Sequence, residues 1–421
     1  LSNLKLRLSW GSIGNQNINP YSFLSVMESE QANWLINGEK PITLNTPSLV
    51  RNNFSWEKVE TTNFGLDFGF LKNKLSGSFD LFRRQTLDML GPGADYPSVI
   101  GAWAPTQNVA NMESNGWELQ MSWNDRKGDI SYGIGFNISD SRSKITKYKN
   151  ETKLLSLPYY EGKELGEIWG YETDRLYAVD DFVEGTLNST LTGGTLKPGV
   201  PYFTGINPNP GDVIYKHADA DGKVWQSSNT VNDPGSRRII GNSTPRYNFG
   251  IHGNVSWKGF GLSFLLQGVG KRNIWMLNGY TWPMPSGYNY ALYKDGLDYW
   301  RTDNLESHFP RMYANSGGNT GANNQVQTRY LQNGAYLDIK SVVLSYQLPK
   351  QLISKWGLNN VSVFINGENL HSFNHLPKGT HPGSKTRGVV EKNGVLDLNT
   401  SAGGSTYPVM RMFTGGINVT F

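Results

Sequence analysis

The chain has 421 residues, a net charge of +4 and no cysteine, which excludes disulfides and thiolate metal sites and gives little reason to expect nucleic-acid binding. Only 18% of its residues are charged, whereas 12% are aromatic and 48 are glycine. No run of about 18 apolar residues occurs, so a protein that spans a membrane with helices is excluded. A barrel whose strands alternate between lipid and water is compatible with this composition.

Ten segments alternate apolar and polar residues with a period of two, which is typical of half-buried strands. Apolar side chains fall on one face of each segment, while Gly, Ser and Asn are frequent on the other, as in the lumen of a barrel. The predicted strands are Leu4–Trp10, Phe64–Phe70, Leu75–Leu81, Trp117–Trp123, Ile130–Ile138, Tyr247–Trp257, Phe260–Leu266, Leu337–Tyr346, Val361–Ile365 and Thr414–Phe421. The alternation slips at Lys340-Ser341, which predicts a β-bulge.

The connections between these segments alternate between short and long. The short ones are 72–74, 124–129, 258–259 and 349–359, the last with one helical turn predicted at Gln351–Lys355. The long ones are approximately 11–55, 90–115, 140–245, 271–335 and 371–407. This order places every short turn at one edge of the sheet and every long loop at the other. Phe70, Trp123 and Trp257 each precede a short turn, where an aromatic girdle is expected.

The pattern therefore predicts an all-β fold, a transmembrane antiparallel β-barrel with long extracellular loops. Alternation alone also fits a β-sandwich with one wet face, so the alternative is a soluble all-β protein that binds or hydrolyses glycans. Long strands favour the barrel, because strands in soluble proteins average about five or six residues. Asp67 and Asp80 could form the carboxylate pair of a glycosidase, but the polarity of a lumen is the simpler explanation.

A series of short motifs resembles the SusC type of TonB-dependent outer-membrane transporter of Bacteroidota. The motifs are LRLSWG at 6–11, TTNFGLD at 61–67, NGWEL at 115–119, WGYETD at 169–174, IGNSTPRY at 240–247, LDYW at 297–300 and GENL at 367–370. The terminal strand, with Gly416, Val419 and Phe421, resembles the C-terminal signal that outer-membrane barrels present to the BAM assembly machinery.

The resemblance implies a barrel of about 22 strands with a plugged lumen. Residues 1–421 would form the C-terminal part of this single transmembrane domain, and the plug and the TonB-coupling segment would lie outside the chain. The family also implies import across the outer membrane with no bond broken, so no enzyme activity is expected. The implied partners are a SusD-like lipoprotein lid, TonB-ExbB-ExbD, outer-membrane lipid and an oligosaccharide, with a peptide as the alternative ligand; a dimer of transporter–lipoprotein pairs is typical of the family.

The segment Asp219-Ala220-Asp221-Gly222 resembles part of a calcium loop, in which carboxylates at alternate positions converge on the ion. Asp219 and Asp221 are therefore candidate ligands for Ca²⁺ or Mg²⁺. His217 stands where a first carboxylate is expected, so the motif is incomplete. The alternative is an Asx turn that caps a small hairpin. No other cofactor is expected.

Aromatic residues crowd the predicted extracellular loops, and four of them lie in a stretch that matches no family motif. These four are Trp275, Trp282, Tyr288 and Tyr290. Aromatic faces stack on sugar rings and on peptide side chains, which predicts ligand or partner contact here. Packing within the loops is the alternative. Trp169 and Trp300 lie in motifs shared with the family, which favours a structural role for them.

Overall fold

The computed structural model describes residues 1–15, 24–47, 49–50, 55–92, 97, 99, 101, 105–225, 228–276, 294–313, 318–378, 380–383, 391–392, 395–396 and 409–421. Ten strands form one antiparallel sheet in which each strand pairs with its neighbours in sequence. These strands are β1 (Asn3–Asn15), β2 (Glu57–Phe70), β3 (Leu75–Pro92), β4 (Thr106–Lys127), β5 (Ile130–Lys147), β6 (Arg246–Trp257), β7 (Phe260–Lys271), β8 (Tyr336–Gln347), β9 (Asn360–Asn374) and β10 (Met412–Thr420). The predicted fold class is confirmed, with ten wall strands in the predicted order.

One face of the sheet is apolar and open to its surroundings. Leu8 of β1, Phe64 of β2 and Leu81 of β3 lie side by side across three strands, with exposed fractions of 80%, 45% and 45%. Ile417 of β10 is 67% exposed on the opposite border of the sheet. A continuous exposed apolar face on long strands is typical of a barrel wall against lipid. Among the residues that the structure describes, no helix is long and apolar enough to cross a membrane.

The opposite face carries a three-residue ion cluster near the first strand. The Arg7 guanidinium donates to Asp67 Oδ1 at 2.8 Å and to Asp80 Oδ2 at 2.9 Å. Gly65 lies between Arg7 and Asp80 in the register, so the arginine crosses over a residue without a side chain. Asp67 and Asp80 are thus paired with the same cation, which favours the lumen-polarity explanation over a glycosidase pair.

Several strands are longer than the alternation predicts. The fourth strand spans 22 residues and the fifth 18, so the second and third long loops shrink to 93–105 and 148–245. Where a strand extends beyond the lipid, both of its faces contact water or other loops, so alternation is no longer required there. The predicted bulge is confirmed: Leu266 pairs with Ile339 and Leu265 with Ser341, which leaves Lys340 as the extra residue.

The four short connections lie at one edge of the sheet, as predicted. They occupy 71–74, 128–129, 258–259 and 348–359. The predicted helical turn in the last one is a short helix, Lys350–Ile353, followed by a 3₁₀ turn at Ser354–Trp356. The start of β1 and the end of β10 reach the same edge, since Asn3 pairs with Gly69 and Asn360 with Thr420.

The third long loop, 148–245, folds into a body of its own, called here the loop body. It contains three pairs of short strands: Glu167–Tyr171 with Arg237–Asn242, Thr173–Leu176 with Val213–Tyr215, and Tyr202–Phe203 with Lys223–Val224. Tyr171, Val213, Tyr215 and Val224 form its buried centre. The other described elements are the strands Ser29–Gln31, Ile42–Leu44, Asn273–Ile274, Gln332–Asn333, Glu391–Lys392 and Val395–Leu396, the helix Asn319–Asn323, and the 3₁₀ turns Val179–Asp181 and Lys294–Leu297.

Candidate functional site

An open cleft of about 550 Å³ lies on the loop body. Its floor is the pair of strands Glu167–Tyr171 and Arg237–Asn242, in which Trp169 pairs directly with Ile239. Paired residues point to the same face of a sheet, so the indole and the 54% exposed Ile239 side chain form one apolar platform.

Hydrogen bonds to two buried side chains, Tyr160 and Glu167, hold the Trp169 indole in place. Its Nε1 donates to Glu167 Oε1 at 2.9 Å and lies 3.2 Å from the Tyr160 hydroxyl. Tyr160 also donates to Glu167. Burial, together with the Glu167 carboxylate, raises the pKa of the Tyr160 phenol, so the hydroxyl keeps its proton. An indole fixed in this way loses little rotamer freedom when a ligand stacks on it.

The lining of the cleft also contains Trp225 and the segment 232–235. Gly235 has a φ of +64°, and a Cβ at this position would lie only 2.4 Å from Trp225 Cδ1. Glycine therefore allows the backbone to lie against the indole. The two tryptophans give the cleft aromatic surfaces that suit the apolar face of a sugar or a side chain of a peptide.

Polar groups of both charges line the rest of the cleft. His217 Nε2 lies 3.1 Å from Glu172 Oε2, and Asp233 and Arg238 complete the lining. Arg238 Nη1 donates to the carbonyl of Gly235 at 2.9 Å, which ties the guanidinium to the same segment that supports Trp225. A few polar groups around an apolar floor are the usual composition of a ligand site.

Asp219 and Asp221, the candidate metal ligands, form a turn. Asp219 Oδ1 accepts from the backbone N–H of Asp221 at 3.0 Å and of Lys223 at 2.7 Å. Asp221 Oδ2 lies 3.3 Å from Lys223 Nζ. Within the described part of the chain, no group of three or more His, Cys, Asp or Glu is arranged to hold a metal ion. The geometry corresponds to the Asx turn of the alternative, and a Ca²⁺ or Mg²⁺ site stays a prediction.

This turn has a role in building the cleft. It reverses the chain so that Val224 enters the buried centre of the loop body at 1% exposure, while the next residue, Trp225, is 37% exposed. The pairing of Lys223–Val224 with Tyr202–Phe203 fixes the direction in which the chain leaves the turn. The acidic motif therefore positions the second tryptophan of the cleft.

Of the four predicted contact aromatics, only Trp275 lies among the described residues; Trp282, Tyr288 and Tyr290 lie outside them. Trp275 is partly buried against Phe309 and Tyr330. These two rings stack with centroids 5.9 Å apart and an interplanar angle of 15°. Trp275 thus contributes to packing within the fourth long loop, and its contact with a ligand stays a prediction.

A buried carboxylate joins the loop body to the fourth long loop. Asp212 accepts hydrogen bonds from the N–H of Asn209 at 2.8 Å, the hydroxyl of Tyr313 at 2.9 Å, and the side-chain amides of Asn319 at 2.6 Å and Asn323 at 2.8 Å. Three of these donors lie more than a hundred residues further along the chain. Burial raises the pKa of the Asp212 carboxyl, although the four donors oppose this shift.

The neighbouring residues reinforce the same junction. Gly211 has a φ of +90° and lies under the Trp300 indole, where a Cβ would come within 2.3 Å of the ring. Arg311 donates to the carbonyls of Leu191 and Thr190 at 2.8 Å. Gly211 and Asp212 therefore have a structural role, and so does Trp300 of the family motif LDYW, as predicted for Trp300.

The predicted assembly signal lies on the border strand β10. Gly416 pairs with Phe364, whose ring would lie 2.6 Å from a Cβ at the glycine. Val419 pairs with Val361, and Phe421 follows the end of the strand with 83% of its surface exposed. Recognition by the assembly machinery stays a prediction.

Sequence reasoning misses most of the cleft. The family motif favours a structural role for Trp169, and nothing in the sequence gives a role to Trp225, Asp233 or Arg238. The available signal is weak: Trp225 follows the acidic turn by three residues, and Arg238 lies just before a family motif. Neither position has a periodicity that would reveal which way its side chain points.

Known proteins that are similar to this chain are TonB-dependent receptors. No protein-family model matches the chain. The chain is 26% identical over 431 residues to the TonB-dependent receptor P3 of Formosa agariphila, covering 99% of this chain and 39% of that protein. It is 24% identical over 367 residues to the TonB-dependent receptor SusC of Bacteroides thetaiotaomicron, covering 82% of this chain and 32% of that protein. The predicted resemblance to the SusC type is confirmed.

The fold of this SusC-like chain also has counterparts among solved structures. The RagAB peptide transporter matches with a TM-score of 0.69 and 22% identity, covering 100% of this chain and 41% of that chain. The same importer in its open-open state matches with a TM-score of 0.70. The chain spans well under half the length of the curated relatives it matches. The reported relatives are named as receptors and transporters, in line with the expectation of transport rather than catalysis.

Proposed function

We propose that this SusC-like chain forms part of the wall and the extracellular loops of a TonB-dependent importer in the outer membrane. The observation that carries the proposal is the ten-stranded sheet with one continuous exposed apolar face, short turns at one edge and folded loops at the other. Such a face requires lipid, and only a closed barrel satisfies every backbone group within it. The names of the curated relatives, TonB-dependent receptors, support import as the activity.

The ligand we propose is an oligosaccharide that the loop body helps to capture. The cleft is lined by two indole rings together with carboxylate, imidazole and guanidinium groups, a combination that suits a sugar ring with one apolar face and many hydroxyls. A peptide is the second candidate, because the lining carries both charges and the RagAB structures are those of a peptide transporter.

The proposed partners follow from the family. A SusD-like lipoprotein would cover the loops as a lid, TonB-ExbB-ExbD would supply energy through parts of the protein outside this chain, and the BAM machinery would insert the barrel. The loop body and the fourth long loop are joined through Asp212 and Arg311, which gives such a lid one firm surface to contact.

The proposal is tested with the intact protein that contains this chain. Membranes are washed with carbonate and then extracted with detergent, and the extract is run on a gel with and without boiling. We expect the protein to need detergent and to migrate differently when boiled. A protein that stays monodisperse in buffer without detergent contradicts the importer and favours the soluble glycan-binding alternative.

Replacing Trp225 by alanine should weaken ligand binding by about three- to tenfold, because one aromatic face is worth about 0.5–1.5 kcal/mol beyond its burial. Binding of the intact protein is measured by calorimetry against panels of neutral oligosaccharides and of peptides. Trp34→Ala is the matched control, since Trp34 is exposed in the first long loop and does not line the cleft. Equal affinities of the two variants for every ligand would exclude Trp225 from the binding site.

A further inference from the structure

The edge of the sheet that carries the short turns is strongly basic. Its four connections and the strand ends beside them, 71–74, 124–130, 258–259 and 348–359, contain more cations than carboxylates. The cations are Lys72, Lys74, Arg126, Lys127, Lys258, Lys350 and Lys355, and the carboxylates are Asp125 and Asp129. This set of seven cations is called the basic rim. The loop body at the other edge has the opposite balance, with carboxylates in excess.

Most of the basic rim is not neutralised by the chain itself. Lys74 lies 2.7 Å from Asp125 and Lys258 lies 3.9 Å from Asp129, with the second pair largely exposed. The remaining five cations form no ion pair with any described residue. All seven side chains belong to exposed residues, so the rim presents a positive surface to whatever lies beside this edge.

Exposed apolar side chains stand at the same level as these cations. In the connection 348–359, Ile353 is 1% exposed and fixes the short helix to the sheet, whereas Leu352 and Trp356 are 54% and 69% exposed. Lys350 and Lys355 are close neighbours of these two side chains along the same helical segment. Trp and Leu beside Lys is the composition of segments at a membrane surface, where the rings enter the acyl boundary and the ammonium groups reach the headgroups.

We infer that the basic rim binds anionic phospholipid headgroups of the leaflet at the short-turn edge. This inference rests on the proposed function, which supplies the membrane, and it specifies the charge of the lipid that contacts this edge. The phosphate of one lipid can lie between lysines while the acyl chains of that lipid cover Leu352 and Trp356. A single partner therefore accounts for both the cations and the exposed apolar side chains. An acidic polymer in the aqueous space would pair with the lysines but leave the apolar side chains in water.

The test counts lipids that stay bound to the intact protein. Protein stripped of lipid in a neutral detergent is incubated with equal amounts of phosphatidylglycerol and phosphatidylethanolamine, and bound lipids are resolved by native mass spectrometry. We expect wild type to prefer phosphatidylglycerol. In K72Q/K350Q/K355Q this preference should fall at least about tenfold, because each cation near a charged surface contributes about fivefold in affinity. Higher salt should reduce the preference of wild type.

The matched control is K149Q/K197Q/K216Q, which removes three exposed lysines from the loop body and should leave the preference unchanged. Unboiled gel mobility verifies that both variants keep the barrel. Equal preference in the rim variant and wild type overturns the inference while the importer stands. If the rim variant loses binding to isolated peptidoglycan but keeps its lipid preference, the partner is the polymer, and this result also overturns the inference. A protein that needs no detergent overturns the proposed function itself.

Discussion

Asp212→Ala is expected to release the loop body from the fourth long loop while leaving the barrel wall intact. The substitution leaves four donors without their acceptor, from Asn209, Tyr313, Asn319 and Asn323. Each buried donor left unpaired costs about 1–3 kcal/mol. Asn319 Nδ2 also donates to the carbonyl of Asn207 at 2.9 Å, so the other three donors carry most of the cost. Asn319 and Asn323 are the first and last residues of a five-residue helix, and both lose their hydrogen bond to Asp212, so this segment should open first.

Hydrogen exchange of the intact protein measures the effect. Amides in 205–215 and 318–328 should exchange at least about tenfold faster in the variant, and amides of β4 and β5 should not change. Asp221→Ala is the matched control, because Asp221 lies in the same loop body with 74% of its side chain exposed and contacts only Lys223 and its own turn. If Asp212→Ala and Asp221→Ala give the same exchange pattern, Asp212 does not join the two loops.

The wall of the barrel could be predicted because lipid on one side and a polar lumen on the other impose a period of two. Leu4 to Trp10 and Ile130 to Ile138 follow that period without interruption, and the phase slip that the bulge at Lys340 requires is visible as well. The same reasoning places the ends of some strands too early along the chain. Residues 140–147 pair with β4 as a strand, but Asp140 and Arg142 break the apolar face because that part of the strand extends past the lipid.

The cleft could not be predicted, because its residues come from segments with no period. Trp169 and Trp225 lie far apart in the chain and line the same cleft because the loop body has a buried centre and two short strand pairs. The acidic motif is visible in the sequence, but its chemistry depends on what faces it. Backbone N–H groups satisfy Asp219, and a sequence motif for oxygen ligands cannot distinguish that outcome from a bound cation.

The junction at Asp212 shows a third case, in which the motif is visible but its role is not. Pro, Gly and Asp are common turn residues, and a turn in a surface loop usually leaves its carboxylate in water. Instead the group is buried and paired with residues from a different loop. Contacts between loops far apart in sequence depend on how the strands place those loops, so no local pattern in the sequence predicts them.

Gly65→Val should destabilise the barrel wall where β1 joins the rest of the sheet. A Cβ at Gly65 would lie 2.6 Å from Arg7 Cζ and 2.6 Å from Asp80 Oδ1, so the valine displaces the arginine from its path to Asp80. Overpacking of this kind costs about 1–3 kcal/mol, and the displaced cation leaves Asp67 and Asp80 facing each other. The free energy of unfolding in urea is measured by the loss of the unboiled gel band.

Gly11→Val is the matched control for this change. Gly11 lies on β1, paired with Thr61 and on the same face as Arg7, but no described atom lies within 4 Å of the position that a Cβ would occupy there. Valine suits a strand, so this variant should be neutral or slightly more stable than wild type. Arg7→Met in the Gly65→Val background tests whether the valine displaces the arginine. If Arg7 is already displaced, the double variant should be no less stable than Gly65→Val alone. A further loss of stability would show that the arginine still reaches its carboxylates, and would contradict the steric account.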